Sequence, residues 1–145
     1  MFKATSTSVA TVMPTMRYRD AGAAIEWLIK AFGLEKKVAY TAENGDVMHA
    51  ELTYGNGMIM LGTSRDDDLS KYMGAPSEMG GRSTAAAYVV VDDVEAHHAR
   101  AVAAGAKVVR PLKVEPHGAM YCCLDLEEHM WCFGDYDPWD SPTAA

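Results

Sequence analysis

The feature that most constrains this chain is internal repetition. Residues Val12 to Asp20 form a short apolar–polar alternation that ends on an acidic residue, and Ala85 to Asp93 do the same. Asp20 and Asp93 stand 73 positions apart. After Asp20, Ala24, Trp27, Leu28, Ala31 and Phe32 recur at helical spacing. After Asp93, Val94, His98, Ala101 and Val102 follow the same rhythm. An aspartate ahead of a helix accepts from the free N–H groups of its first turn. A glycine behind it supplies the left-handed stop, and Gly33 and Gly105 are 72 apart. Asp92 and Glu95 have the spacing of a capping box.

Each predicted helix leads into a strand-like run, at 34–40 and 106–109, and then into two strands joined by turn residues. In the first half these are Val47 to Tyr54, Gly55-Asn56-Gly57, and Met58 to Leu61. In the second they are Ala119 to Leu124, a turn over 125–128, and His129 to Gly134, so that Met60 and Cys132 are again 72 apart. The order βαβββ therefore occurs twice. A repeated supersecondary unit fixes architecture before any single motif is weighed. The expected fold is α+β: two βαβββ repeats, about 9–63 and 83–139, forming a curved mixed sheet around a central cleft within one domain. The polar stretch 64–82, with Asp66-Asp67-Asp68, reads as a linker able to close over that cleft.

At 145 residues, 49% apolar and 23% charged, the chain has the composition of an ordinary globular domain. Its 13 Lys and Arg against 20 Asp and Glu give a net charge of −7, which disfavours nucleic acid and anionic membrane surfaces. There is no apolar run of spanning length, and the start lacks a signal-like hydrophobic stretch. Cys122 and Cys123, adjacent on a strand, point to opposite faces and make poor disulfide partners. With Cys132 they leave an odd count that fits a reducing, cytoplasmic setting.

The phrases Arg17-Tyr18-Arg19-Asp20, His49-Ala50-Glu51-Leu52, Gly55 to Leu61, Tyr88 to Val94 and His129 to Asp135, in this order and spacing, resemble the glyoxalase / bleomycin resistance / extradiol dioxygenase superfamily, also called vicinal oxygen chelate. Within it the chain looks most like the bleomycin-resistance-like and PhnB-like proteins. The resemblance implies half-barrel units enclosing a ligand cleft, a homodimer and, in the metal enzymes, one ligand on the first and last strand of each unit. Carried onto this sequence, those places fall near Met13, Met60, Ala86 and Cys132. Divalent Zn, Fe, Mn or Ni needs imidazole, carboxylate or several thiolates, so no metal and no cofactor is expected at these positions.

If Met13, Met60 and Cys132 face the cleft, alternation turns Thr11, Thr15, Met58, Thr84, Tyr88 and Met130 the same way. This Met-rich lining suits a hydrophobic or aromatic small molecule, or else it fills a core. Tyr121 and Arg17 are further polar candidates, and Trp131 with Tyr136, Pro138 and Trp139 offers an aromatic cluster for a flat ligand or a dimer interface. His49 and Glu51 share a strand face and read as a general acid/base pair, as two ligands of a displaced metal site, or as a cross-strand polar pair. His97 and His98 are expected at the core edge or surface, and His117 and His129 exposed. The leading expectation is a metal-independent, homodimeric small-molecule binding protein in which Thr15, Met13, Met58, Met60, Tyr88, Tyr121, Trp131 and Cys132 contact the ligand. The competing one is a lyase, isomerase or dioxygenase holding one divalent metal and using His49 and Glu51.

Overall fold

A computed structural model describes residues 8–140. The first unit comprises β1 (Thr15–Tyr18), α1 (Ala21–Phe32), β2 (Glu35–Thr41), β3 (Val47–Tyr54) and β4 (Gly57–Thr63). The second comprises β5 (Ala87–Val90), α2 (Val94–Ala103), β6 (Lys107–Glu115), β7 (Gly118–Leu124) and β8 (Met130–Gly134). The doubled βαβββ order is thus present, as two four-stranded mixed sheets ordered β1-β4-β3-β2 and β5-β8-β7-β6. In each, the first strand runs parallel to the last and the remaining pairs are antiparallel.

The repeat landmarks have the local chemistry their residue types dictate. Asp20 accepts from the Ala23 N–H and Asp93 from the Ala96 N–H, capping both helices. The capping role in α2 falls to Asp93, so the Asp92–Glu95 box is replaced by a single aspartate cap. Gly33 takes φ +81° and returns its N–H to the Ile29 carbonyl, closing α1 in the left-handed region that suits glycine. In α2 it is Val94, His97 and Ala101 that are buried, so the inward face carries His97 and not His98. Strand β6 runs to Glu115, well past the expected 106–109, because register shifts let it follow β7 beyond Arg110.

One core joins the units. Phe32 at the end of α1 meets Trp27, Trp131 and Phe133 at ring-centroid distances of 5.0, 5.2 and 4.7 Å. The Trp27 indole donates to the Ala104 carbonyl at 2.7 Å, and Arg100 donates to the carbonyls of Ile29 and Lys30. The units are therefore fastened through their helices and the helix-facing sides of both sheets. The opposite sheet faces remain available for other contacts.

Candidate functional site

Register decides which side chains share the face away from the helices. Thr15 stands opposite Met60 and Met60 opposite Glu51 in the first sheet. Tyr88 stands opposite Cys132, Cys132 opposite Cys122 and Cys122 opposite Arg110 in the second. By period-2 alternation Met58 joins the first row, and Met120 and Met130 the second. Thr15, Met58, Met60, Tyr88 and Cys132 are thus on the expected face. Met13 lies ahead of β1 and is half-buried.

Tyr121 and Trp131 are on the other side. Both are fully buried among the helix-facing core residues, and the Tyr121 hydroxyl is engaged with His97 Nδ1 at 2.6 Å. Trp131 and Cys132 are neighbours on one strand and point to opposite faces of the sheet. The Trp131 indole donates to Asp125 Oδ2 at 3.0 Å.

Two cavities meet at Tyr88. One of about 780 Å³ lies between the units and is lined by Val12, Pro14, Tyr54, Met58 and Ile59 from the first. The second contributes Tyr88, Val90, Asp92, Trp131, Asp137, Trp139 and Asp140. The other cavity, of about 640 Å³, lies over the second sheet against Tyr88, Arg110, Leu112, Met120 and Tyr136. Tyr88 is held by donating to the Tyr136 carbonyl at 2.8 Å and lies over Gly134, where an added Cβ would come within 2.6 Å of its hydroxyl. Burial and the nearby Asp135 carboxylate raise the Tyr88 phenol above its ordinary value, so it stays a neutral donor. Met58, Tyr88 and Trp131 are brought together around the larger cavity. Thr15, Met60, Cys132, His49 and Glu51 line neither.

His49 Nε2 and Glu51 Oε2 form a pair at 2.9 Å, with Lys37 Nζ 3.5 Å from the other carboxylate oxygen. The hydrogen bond from His49 and the charge of Lys37 hold the Glu51 carboxyl below its usual range. Arg17, a candidate for pairing with a ligand carboxylate, is already occupied: its guanidinium grips Asp67 through two bonds of 3.0 and 2.7 Å. Asp67 is pulled down to about 2 by that contact. The 64–82 linker is thereby tied to β1. His129 Nε2 donates to the Arg17 carbonyl, 2.8 Å away, and is not the exposed turn residue expected.

The sequence reading missed Asp125. It is buried between the units, and its carboxylate accepts from Tyr18 Oη, Trp131 Nε1 and the N–H groups of Glu127 and His129. A lone aspartate in a turn-like stretch gives no signal of this.

A family model described as Glyoxalase/Bleomycin resistance protein/Dioxygenase superfamily matches residues 9–133. The chain belongs to this superfamily. Among curated relatives, the Mycobacterium tuberculosis protein Rv0887c is 30% identical over 126 residues, covering 83% of this chain and 71% of that protein. TioX from Micromonospora sp. ML1 superposes with a TM-score of 0.67 at 30% identity, covering 86% of this chain and 94% of its own. The fold is also shared with the bleomycin-binding protein of Streptomyces verticillus, at TM-score 0.56 and 16% identity over 88% of this chain and 96% of that one.

In the superfamily's metal enzymes, ligands come from first and last strands. The observed register places Thr15 beside Met60 and Tyr88 beside Cys132, which moves the first-strand positions from Met13 and Ala86 to Thr15 and Tyr88. A hydroxyl, a thioether, a phenol and a thiol do not fit a divalent metal of the Zn, Fe or Mn kind. Among the described residues no group of three or more His, Cys, Asp or Glu converges. Nor is any described helix long and apolar enough to cross a membrane.

Proposed function

We propose that the protein is a homodimeric, cytoplasmic binding protein that sequesters a planar, hydrophobic or aromatic small molecule stoichiometrically, without a divalent metal. The observation that carries this reading is the lining of the cavity between the units. Tyr54, Tyr88 and Trp139 are combined there with Asp92, Asp137 and Asp140, and the buried Trp131 backs the wall behind them. Aromatic faces stack on flat rings, and a ring quadrupole together with nearby carboxylates favours a ligand bearing positive charge. Met58 adapts to an irregular apolar outline. The volume of about 780 Å³ falls within the range that accommodates drug-sized ligands.

The cavity is open at its rim, where Val12 and Trp139 are 84% and 82% exposed. A second copy covering that rim would bury both and complete the enclosure. Superfamily members bind small molecules and often dimerise, and the bleomycin-binding protein of Streptomyces verticillus, a relative in fold, binds copper(II)-bleomycin. The three free cysteines suit a reducing compartment.

The test is a fluorescence titration of the full chain with a flat, cationic tricyclic dye, alongside light scattering to read the oligomer. Saturation at one dye per chain on a dimer is expected, with affinity about tenfold weaker for Trp139→Ala, a loss of ~1.4 kcal/mol. No saturable signal, or equal binding by Trp139→Ala and Asp137→Asn, overturns the reading.

A further inference from the structure

The second sheet carries a concentration of sulfur that the ligand cavity does not use. Cys122 and Cys132 are direct cross-strand partners on β7 and β8. The Asp125 N–H reaches the His129 carbonyl and the Asp135 N–H reaches the Ala119 carbonyl. Hydrogen-bonded and non-hydrogen-bonded pairs alternate along an antiparallel ladder. Counting inward from either end places Cys122 and Cys132 at a non-hydrogen-bonded pair, the type with Cα atoms only about 4.5 Å apart and side chains leaning together. Both are buried, at 4% and 9% exposure. Met120 and Met130 are two residues away on the same face, one on each strand, so each is diagonal to the opposite cysteine. Cys123 points to the other side and is fully buried in the core.

We propose that Cys122 and Cys132 form a binding site for one soft monovalent cation of the copper(I) type, with the Met120 and Met130 thioethers flanking it. Soft thiolate and thioether donors select copper(I) over hard divalent ions. Two metal–sulfur bonds of about 2.3 Å set head to head need sulfurs about 4.6 Å apart, a span within reach of side chains whose Cβ atoms face each other across a non-hydrogen-bonded pair at about 4.5–5.5 Å. Binding replaces two S–H protons: one cation and two thiols give a bis-thiolate complex of charge −1 and two released protons, with no change of oxidation state. Arg110 supplies the opposing charge. It is the cross-strand partner of Cys122, its field already favours the Cys132 thiolate, and it has no hydrogen-bond or ion-pair partner among the described residues. Because the cation displaces two protons, copper binding strengthens as pH rises. Cys132 also stands at the last-strand position that the family resemblance points to, whereas Cys122 and both thioethers lie outside the family's metal positions. The site does not rest on the small-molecule reading above.

The experiment titrates the reduced, full-length protein anaerobically with copper(I) buffered by a chromogenic chelator. The expected result is one copper per chain, two protons released, a near-ultraviolet thiolate-to-copper band, and an all-sulfur shell by X-ray absorption. Cys122→Ser and Cys132→Ser, each shown folded by its melting curve, should lose at least a hundredfold in affinity. Met120→Leu and Met130→Leu should lose several-fold, and Cys123→Ser should bind as the parent does. Failure of the parent to compete with the chelator overturns the proposal. So does unchanged binding in either serine variant, or a Cys123→Ser loss as large as theirs. The proton count and the sulfur shell are read on the parent chain, so the decision stands even where a variant folds poorly.

Discussion

Tyr18 donates a 2.6 Å hydrogen bond to Asp125 Oδ2, joining the first strand of one unit to the turn before the last strand of the other, 107 residues away. Both partners are buried, and the carboxylate takes three further donors. The same turn reaches back through Glu127, whose carboxylate accepts from the Arg19 and Asp20 N–H groups just ahead of α1. Removing the carboxylate orphans a phenol, an indole and two backbone donors at once. Asp125→Ala is therefore expected to cost about 3 kcal/mol or more, while Tyr18→Phe, which deletes one donor, costs about 1–2 kcal/mol. Urea unfolding curves with an unchanged slope check both values.

His97 sets a pH limit on the fold. Its Nε2 lies 2.9 Å from the Phe32 carbonyl and its Nδ1 2.6 Å from Tyr121 Oη, which the neutral ring satisfies by donating from Nε2 and accepting at Nδ1. Phe32, Phe133, Tyr54 and Tyr121 surround it, and among the described residues Arg100 is the charged side chain that bears on it. Burial pushes the imidazole below its usual value of 6.5, helped by the Arg100 charge. The unfolded chain then binds the proton more readily than the folded one. This contribution to stability is complete above about pH 6.5 and is lost as pH falls toward the folded value. Chemical denaturation between pH 5 and 7.5 should show stability falling with acid, and His97→Gln should flatten that part of the profile. A histidine variant with the parent slope would place the titration elsewhere.

How much of this was legible beforehand depended on periodicity. The aspartate caps, Gly33 and the doubled strand order are local signals, and each one survives because the residue's own chemistry fixes the backbone around it. Thr15, Met58, Met60, Tyr88 and Cys132 were placed on one face because alternation along a strand needs no tertiary information. Tyr121 lines neither cavity for the opposite reason: its aromatic ring suggested ligand contact, while strand parity and its His97 partner put it in the core; Trp131 is likewise in the core, held by Asp125, and backs the wall of the larger cavity. Asp125, the Arg17–Asp67 clasp and the closeness of Cys122 to Cys132 are pairings across 107, 50 and 10 positions. Such contacts follow from how strands and units are laid together, which one sequence does not encode locally.

The Arg17–Asp67 clasp holds the 64–82 linker against β1, with Arg65 adding a second contact to Asp67 at 3.2 Å. Asp67→Asn removes the charge that both arginines share. The backbone of the linker is then expected to open more often, seen as cleavage within 64–82 by a limiting protease at several times the parent rate. Because Asp67 is partly exposed, salt should screen the clasp and raise the parent's own cleavage rate. Equal cleavage of parent and variant at low salt would show that the linker is held by its other contacts.

Gly134 tests whether Tyr88 is the shared wall of the two cavities. A methyl group there would sit 2.6 Å from the Tyr88 hydroxyl and 3.0 Å from the Ala119 carbonyl oxygen, which is backbone and cannot swing aside. Gly134→Ala should cost about 1–3 kcal/mol in stability through overpacking. The displaced tyrosine would also lose its bond to the Tyr136 carbonyl and unseat the segment that carries Asp137 and Trp139. Affinity for the cationic dye should fall along with stability. Tyr88→Phe keeps the ring and removes only that hydrogen bond, so it should retain most of the stability and lose affinity to a smaller degree. His49→Ala, at a residue that lines neither cavity, should leave dye binding unchanged. A dye affinity that drops in His49→Ala but not in Gly134→Ala would move the binding site from the inter-unit cavity to the first sheet.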